Sequence, residues 1–291
     1  MKKIIFLLIL LIIAAIIVLQ INKETNPDAV RFKDSNLERV IREEIDKRRG
    51  DILKSDLEEI TQLFAERKGI SSLEGMEYLV NLEWLILNEN KITELEPLAN
   101  LTKLKLLSIN QNEISDISPL ANITSLEIIS MFKNKIEDIS PLDNLVNLYS
   151  IHLGNNQISD LEPLANLTNL DELLLYSNKI SDLEPLANLA DLRILKLDSN
   201  QTSDISALSD LKNLIKLNLS HNQINNLSPL AGLKNLEEIE LNSNQINDLS
   251  PLSNLENLTK LYLQSNQIID ISPLDELIYL YDLNIRDNPI E

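Results

Sequence analysis

Few residues in this sequence are equipped for catalysis. It contains no cysteine, which excludes disulfides, thiolate nucleophiles, Cys-bound zinc and Cys-linked lipid. Its two histidines, His152 and His221, stand far apart, and neither has a second histidine near it in sequence. A metal or acid–base centre built on paired histidines is therefore not expected. The spacing instead puts His152 alone on a strand surface, as a recognition residue, and His221 in a solvated turn. Carboxylates are the more suggestive set. They recur as a column at Glu94, Asp116, Asp138, Asp160, Asp182, Asp204, Asp248 and Asp270. Stacked about 5 Å apart, such a column could collect calcium, which takes oxygen ligands. Each member also stands two residues before the Ser or Glu that opens the next turn. There a carboxylate commonly accepts backbone N–H groups, so the structural role is the stronger reading. No metal, no cofactor and no enzymatic activity are expected.

Charge narrows the partners. The 291 residues hold 26 Lys and Arg against 45 Asp and Glu, a formal net charge of −19. So acidic a surface repels phosphate backbones, which argues against nucleic acid. At 44% hydrophobic and 24% charged, the chain is apolar enough for a sizeable core and polar enough to be soluble over most of its length.

The beginning of the chain differs from the rest. Lys2 and Lys3 precede an unbroken apolar run from Ile4 to Leu19. As a helix, Ile4 to Ile21 would span roughly 27 Å, close to the ~30 Å hydrocarbon core of a bilayer. The two lysines favour a cytoplasmic N-terminus and an exported remainder. Residues 1–21 thus read as a signal anchor or a cleaved signal peptide. The anchor is favoured because Ala14-Ala15 lies inside the run and Pro27-Asp28-Ala29 is a poor cleavage site. Either reading places the rest of the protein outside the cytoplasm, membrane-anchored or secreted. Residues 22–34 read as a polar tether.

What must position the surface residues is a repeat. Asparagine recurs at Asn90, Asn112, Asn134, Asn156, Asn178, Asn200, Asn222, Asn244, Asn266 and Asn288, at a constant 22-residue step. Each closes an L-x-x-L-x-L-x-x-N block, as in Leu82, Leu85, Leu87, Asn90 and in Leu258, Leu261, Leu263, Asn266. The Leu-x-Leu alternation makes a short strand with its leucines turned inward. The asparagine amide can both donate to and accept from backbone groups of neighbouring turns, so stacked copies form a ladder. Ser-Pro pairs such as Ser118-Pro119 and Ser250-Pro251 resemble helix starts. So short a repeat leaves room for only a brief 3₁₀ turn there. The predicted fold class is α/β: a right-handed solenoid with a ten-stranded parallel concave sheet roughly 43 Å long and 3₁₀ turns on the convex side.

These blocks, with the continuation Ile92, Leu95, Pro97, Leu98, Leu101, resemble the 22-residue leucine-rich repeats of bacterial internalins. Related repeats occur in the nuclear regulatory subunit of protein phosphatase 1. The segment from Phe64 to Ile70, followed by Leu73-Glu74-Gly75-Met76-Glu77-Tyr78-Leu79, looks like the junction of an internalin-type helical cap with its first repeat. The resemblance implies a cap over 35–69 and repeats over 70–291. The cap also follows from pattern. Ser35 with Glu38 and Ser55 with Glu58 read as capping boxes, ahead of apolar stripes at Leu37, Val40, Ile41, Ile45 and at Leu57, Ile60, Leu63, Phe64. Gly50 and Gly69 are expected to end these two helices. A solenoid exposes its interior at each end, so a cap is needed. Many internalins carry an immunoglobulin-like cap after the repeats; none is recognisable here, and the C-terminal end is expected to be open.

Between the inward leucines, the outward strand positions are free for recognition. Apolar and aromatic residues concentrate in the first six blocks: Trp84, Ile86, Leu106, Ile128, Phe132, His152, Leu174, Tyr176 and Ile194. The later blocks carry mostly charged or amide residues. Contiguous apolar surface marks an interaction site, and Trp and Tyr are frequent anchors. The alternative is that the cap or a neighbouring loop partly covers Trp84 and Ile86. The sequence thus points to a non-catalytic protein that binds a protein or surface polymer through its concave face. An intracellular regulator like the phosphatase subunit is the rival reading, and the N-terminal apolar run opposes it.

Overall fold

A computed structural model describes residues 26–290. The predicted anchor at 1–21 and the start of the predicted tether lie outside the described residues. Among the described residues, no helix is long and apolar enough to cross a membrane.

The repeats form one solenoid. Each coil contributes a three-residue strand, from β4 (Trp84–Ile86) to β13 (Asp282–Asn284), and a one-turn 3₁₀ segment such as Ser118–Leu120. Every strand pairs in parallel with the coil before it, residue for residue one repeat apart, as in Trp84↔Leu106 and Lys260↔Asp282. The inward leucines and isoleucines fill a single continuous core, with Leu85, Leu107, Leu173 and Leu261 fully buried. Proline at the second position of most 3₁₀ turns costs no backbone bond there and presets φ.

The asparagine ladder ties each coil to the one before it. The Asn178 amide donates from Nδ2 to Leu153 O (3.0 Å) and Leu175 O (2.9 Å), and its Oδ1 accepts from Ile158 N (3.0 Å). The same pattern recurs from Asn90 to Asn288. Asn90, Asn112, Asn244 and Asn266 are buried, while the other six are partly exposed. The residue before each asparagine is left-handed, with φ between 53° and 59° from Glu89 to Asp287, although none is glycine. Such a backbone costs of order 1 kcal/mol per residue and persists where its surroundings over-determine it; here the neighbouring amide holds the turn. A second amide ladder runs along the rim, with Asn81, Asn147, Asn169, Asn213, Asn235 and Asn257 each donating to a carbonyl 23 residues earlier. Sequence reasoning missed it, although the same 22-residue recurrence carries it.

The N-terminal cap departs from its predicted outline. Residues 29–34, assigned above to a tether, are folded. β1 (Ala29–Val30) pairs antiparallel with β2 (Ile52–Leu53), and Val30 and Phe32 are buried. Only one long helix forms among the described residues, α1 (Ser35–Glu44). Its N-cap is Asp34 rather than Ser35: Asp34 Oδ1 accepts from Asn36 N and Leu37 N, and Oδ2 accepts from Ser71 N and Oγ. A carboxylate satisfies four donors where the Ser35 hydroxyl would meet fewer, and these bonds hold the Asp34 carboxyl below its ordinary range against the opposing effect of burial. The second predicted helix shrinks to α2 (Lys54–Leu57), with Asp56 accepting from Leu53 N. The stripe behind it becomes a strand, β3 (Gln62–Phe64), in register with β4. The sheet therefore has eleven strands rather than ten, about 48 Å in all. Ile60, Leu63, Ala65 and Ile70 stand one repeat before Leu82, Leu85, Leu87 and Ile92, so a degenerate repeat hides inside the cap. Lys68 takes the asparagine position, and Asn90 accepts from Ile70 N, as each ladder asparagine does from the coil before it, and in addition from Lys68 N. Gly50 and Gly69 both adopt positive φ, but Gly50 lies beyond the end of α1 and Gly69 follows β3 rather than a helix.

Candidate functional site

Strand geometry sets the concave face. Residues flanking each buried leucine point the other way, so Trp84, Leu106, Ile128, Ser150, Glu172 and Ile194 form one row across the sheet and Ile86, Ser108, Ser130, His152, Leu174 and Lys196 a second. Trp84 is exposed (43%), so the cap does not cover it; Ile86, Leu106, Ile128, Leu174 and Ile194 are half-buried by their row neighbours. Beyond the strands, Phe132 and Tyr176 complete the apolar half.

Those two aromatics lie two strands apart, about 9.6 Å at the backbone. Their ring centroids are nevertheless 5.8 Å apart, tilted at 41°. They meet because Gly154 stands between them. A Cβ there would lie 2.6 Å from Tyr176 Cζ, so the phenol ring rests directly on the glycine backbone. The Phe132 backbone is held by Asn110, whose Oδ1 accepts from Phe132 N at 2.7 Å. Burial, and then the Asp198 carboxylate, push the Tyr176 phenol above its usual range.

The far half of the face is polar. Glu238 sits between Lys216 (3.9 Å) and Lys260 (3.6 Å), and the Tyr262 hydroxyl donates to Asp282 Oδ2 at 2.5 Å. Asp198 and Glu240 are partly buried, and desolvation raises both carboxyls. For Glu240 the nearby Glu238 and Asp198 add to this, while Lys196 and Lys260 oppose it.

This architecture is a known one. A family model described as leucine-rich repeats, two copies, matches residues 80–122, 124–166, 168–210 and 212–254. The internalin InlF of Listeria monocytogenes is 38% identical over 88% of this chain and 83% of its own, with a TM-score of 0.77. Internalin C2 of the same species is 35% identical over 80% of this chain and 94% of its own, with a TM-score of 0.62. The chain belongs to the internalin-like leucine-rich repeat proteins. The plant peptide hormone receptor RGFR1, solved in complex with RGF2, is 27% identical over 74% of this chain and 41% of its own, with a TM-score of 0.63. No curated protein sequence matches the chain.

Within this leucine-rich repeat protein, His152 has company that the sequence did not reveal. β7 (Ser150–His152) lies beside β8 (Glu172–Leu174), and Glu172 Oε2 accepts from Ser150 Oγ (3.0 Å) and meets His152 Nε2 (3.1 Å). Both groups converge on the same carboxylate oxygen. The imidazole is thus turned to the acid rather than to the hydroxyl, an arrangement unlike the nucleophile–base pair that serine activation requires. The acidic column is engaged with backbone: Asp116, Asp138, Asp160, Asp182, Asp204, Asp248 and Asp270 each accept the N–H two residues on at 2.8–2.9 Å. These bonds lower the carboxyls of Asp116, Asp204, Asp248 and Asp270. Asn226 serves the same purpose in the coil that lacks an acid, so the position requires an acceptor rather than a charge. Among the described residues, no group of His, Asp and Glu is arranged to hold a metal ion.

Two surface residues were missed. Phe64, assigned above to a buried helical stripe, lies on β3 in register with Ile86 and is 51% exposed, extending the apolar row by one strand. Its position one repeat before Ile86 is the signal. Tyr149, exposed at the rim, borders a groove with Trp84, Leu106 and Ile128. Its position just before β7 indicated nothing special.

Proposed function

We propose that this protein is exported and binds a protein or peptide partner, without catalysis, through the N-terminal half of its concave face. One observation carries the reading. Apolar residues on the first strands, Phe64, Trp84, Ile86, Leu106 and Ile128, lead to the Phe132–Tyr176 pair, while the later strands of the same face carry mostly charged or amide residues. A rigid sheet with its outward side chains already in place reduces the ordering cost of binding. The glycine cradle under Tyr176 is preorganisation at the level of one residue. The solved likeness to a receptor in complex with a peptide hormone supports a protein or peptide ligand over a surface polymer. Export rests on Lys2, Lys3 and the apolar run Ile4 to Leu19.

The test is site-directed photocrosslinking in intact producing cells, with a photoreactive phenylalanine analogue at position 132 or at position 260. Partner adducts are expected from position 132. Loss of one true anchor, by Trp84→Ala or Tyr176→Ala, should then weaken binding by ~2 kcal/mol or more, about thirtyfold. Adducts from position 260 alone, with Lys216→Ala and Lys260→Ala abolishing binding and the aromatic variants binding normally, would place the site in the polar half and sink this assignment.

A further inference from the structure

One carboxylate stands inside the apolar half of the concave face. Glu172 opens β8, with Ser150 in register beside it on one strand and Ile194 on the other. Leu174 follows it on the same coil, and Ile128 lies beyond Ser150 in its row. Glu172, Leu174 and Tyr176 are successive outward positions, so the acid stands at most about 13 Å from Tyr176 along the backbone. Its side chain is 30% exposed, which leaves the carboxylate partly desolvated before any partner arrives.

The two oxygens of this carboxylate are used unequally. Oε2 accepts from Ser150 Oγ at 3.0 Å and meets His152 Nε2 at 3.1 Å. An ionised carboxylate only accepts, so the imidazole is the donor in that contact. Oε1 accepts from no group among the described residues. The one ion-pair neighbour of Glu172 among them is His152, and an imidazole is charged only on the acid side of neutrality. The permanent cations of the next coil are engaged elsewhere. Arg193, at the rim, pairs with Asp171 at 3.4 Å. Lys196, at the end of β9 (Ile194–Lys196), acts on Asp198 and Glu240. Glu238 in the polar half is the contrasting case, because Lys216 and Lys260 already flank it.

Covering the apolar half takes water away from Glu172 as well. A partner with apolar side chains alone would strip Oε1 of its water and return nothing, a cost that a cation with N–H donors removes. At longer range, the formal net charge of −19 draws basic partners toward the chain. We infer that the peptide segment bound on this face carries a lysine or arginine whose cation donates to Glu172 Oε1, with apolar side chains on both sides of it. The inference rests on the concave-face reading above and adds the chemistry of the occupant. The apolar positions select bulk, and Glu172 selects charge.

A phage-displayed library of random twelve-residue peptides, panned at pH 8 on the full chain in detergent, supplies the probes. Peptides whose capture is lost on Tyr176→Ala report the apolar half, and only these are carried forward. They are expected to share a lysine or arginine flanked by apolar residues. Glu172→Gln keeps the size of the side chain and an oxygen for Ser150. It should weaken these peptides about tenfold, the scale of a hydrogen bond to a charged group. Glu238→Gln removes the same charge from the polar half and should change affinity by less than about twofold, as a substitution outside the contact does. That comparison separates Glu172 from general attraction to an acidic chain. Resynthesis with norleucine in place of the base should cost as much as Glu172→Gln does. The norleucine peptides should bind parent and Glu172→Gln alike, which also shows the variant to be folded. Tyr176-dependent peptides that lack a base, or that bind Glu172→Gln as tightly as the parent, overturn this inference and leave the apolar reading standing. So does an equal loss from Glu172→Gln and Glu238→Gln. A library that yields no Tyr176-dependent peptide overturns the apolar reading, and this inference with it.

Discussion

Removing the Asn178 amide tests how the ladder holds the coils together. The side chain makes three hydrogen bonds of ordinary length, but they are not equal. Leu153 O keeps a second donor, Asn156 Nδ2 at 3.0 Å, and Leu175 O keeps Asn200 Nδ2 at 3.1 Å. The Ile158 N–H has no acceptor besides Asn178 Oδ1 among the described residues, and Ile158 is fully buried. Asn178→Ala therefore orphans one buried donor and thins two carbonyls that remain satisfied. An unsatisfied buried group costs about 1–3 kcal/mol, and about 2 kcal/mol is expected here. Asn178→Asp separates this reasoning from a mere loss of packing. It preserves volume and the acceptor for Ile158 N, but turns a carboxylate oxygen toward Leu153 O and Leu175 O. At pH 7 it should destabilise more than alanine does. Those carbonyls raise the folded-state pKa of the new acid above its unfolded value. The extra loss should therefore shrink as pH falls through that raised value, because the protonated carboxyl can donate. Urea unfolding followed by circular dichroism gives both energies, and hydrogen exchange at Ile158 reports the orphan. An alanine variant within about 0.5 kcal/mol of the parent, the range of an inconsequential surface substitution, would refute the account. So would an aspartate milder than alanine at pH 7.

The sixth full repeat departs from its neighbours twice. Thr202 replaces the isoleucine of every other coil and is fully buried with its Oγ1 3.4 Å from Ile180 O, and Ala207 replaces the turn proline. Thr202→Ile and Ala207→Pro should each raise stability by about 0.5–1 kcal/mol, read as a higher unfolding midpoint. Gly154→Ala should leave the far-UV spectrum unchanged yet displace the Tyr176 ring, altering the near-UV tyrosine band and weakening partner binding as Tyr176→Ala does. Burial raises the folded pKa of Glu240 above its ordinary 4.5, so the ionised carboxylate opposes folding at pH 7 and ceases to do so once protonated in both states. Glu240→Gln should therefore raise the melting temperature at pH 7, and the gain should vanish below about pH 4.5.

The solenoid, its parallel register and the ladder were legible because the same constraint is written ten times over. A 22-residue period with inward leucines at fixed offsets admits only one way to bury every leucine against its copies. The outward positions followed from strand alternation alone, so the apolar half of the concave face could be identified with no contact known. Where the repeat degenerates, the sequence was ambiguous. Ile60, Leu63 and Phe64 suit a helical stripe as well as a strand, and only pairing with β4 decides for the strand, because a backbone already lies beside them offering hydrogen bonds at the right register. Asp34 outcompetes Ser35 as a cap because Ser71, far along the chain, brings two more donors to the same carboxylate. Gly154 looks like a weak strand residue until Phe132 and Tyr176 are seen to meet above it. Ser150, His152 and Glu172 form no motif in sequence and become one hydrogen-bonded cluster when the coils stack. Periodicity determines which face each residue occupies. Which residues on that face touch one another depends on distances across strands, and those exist only once the chain has coiled.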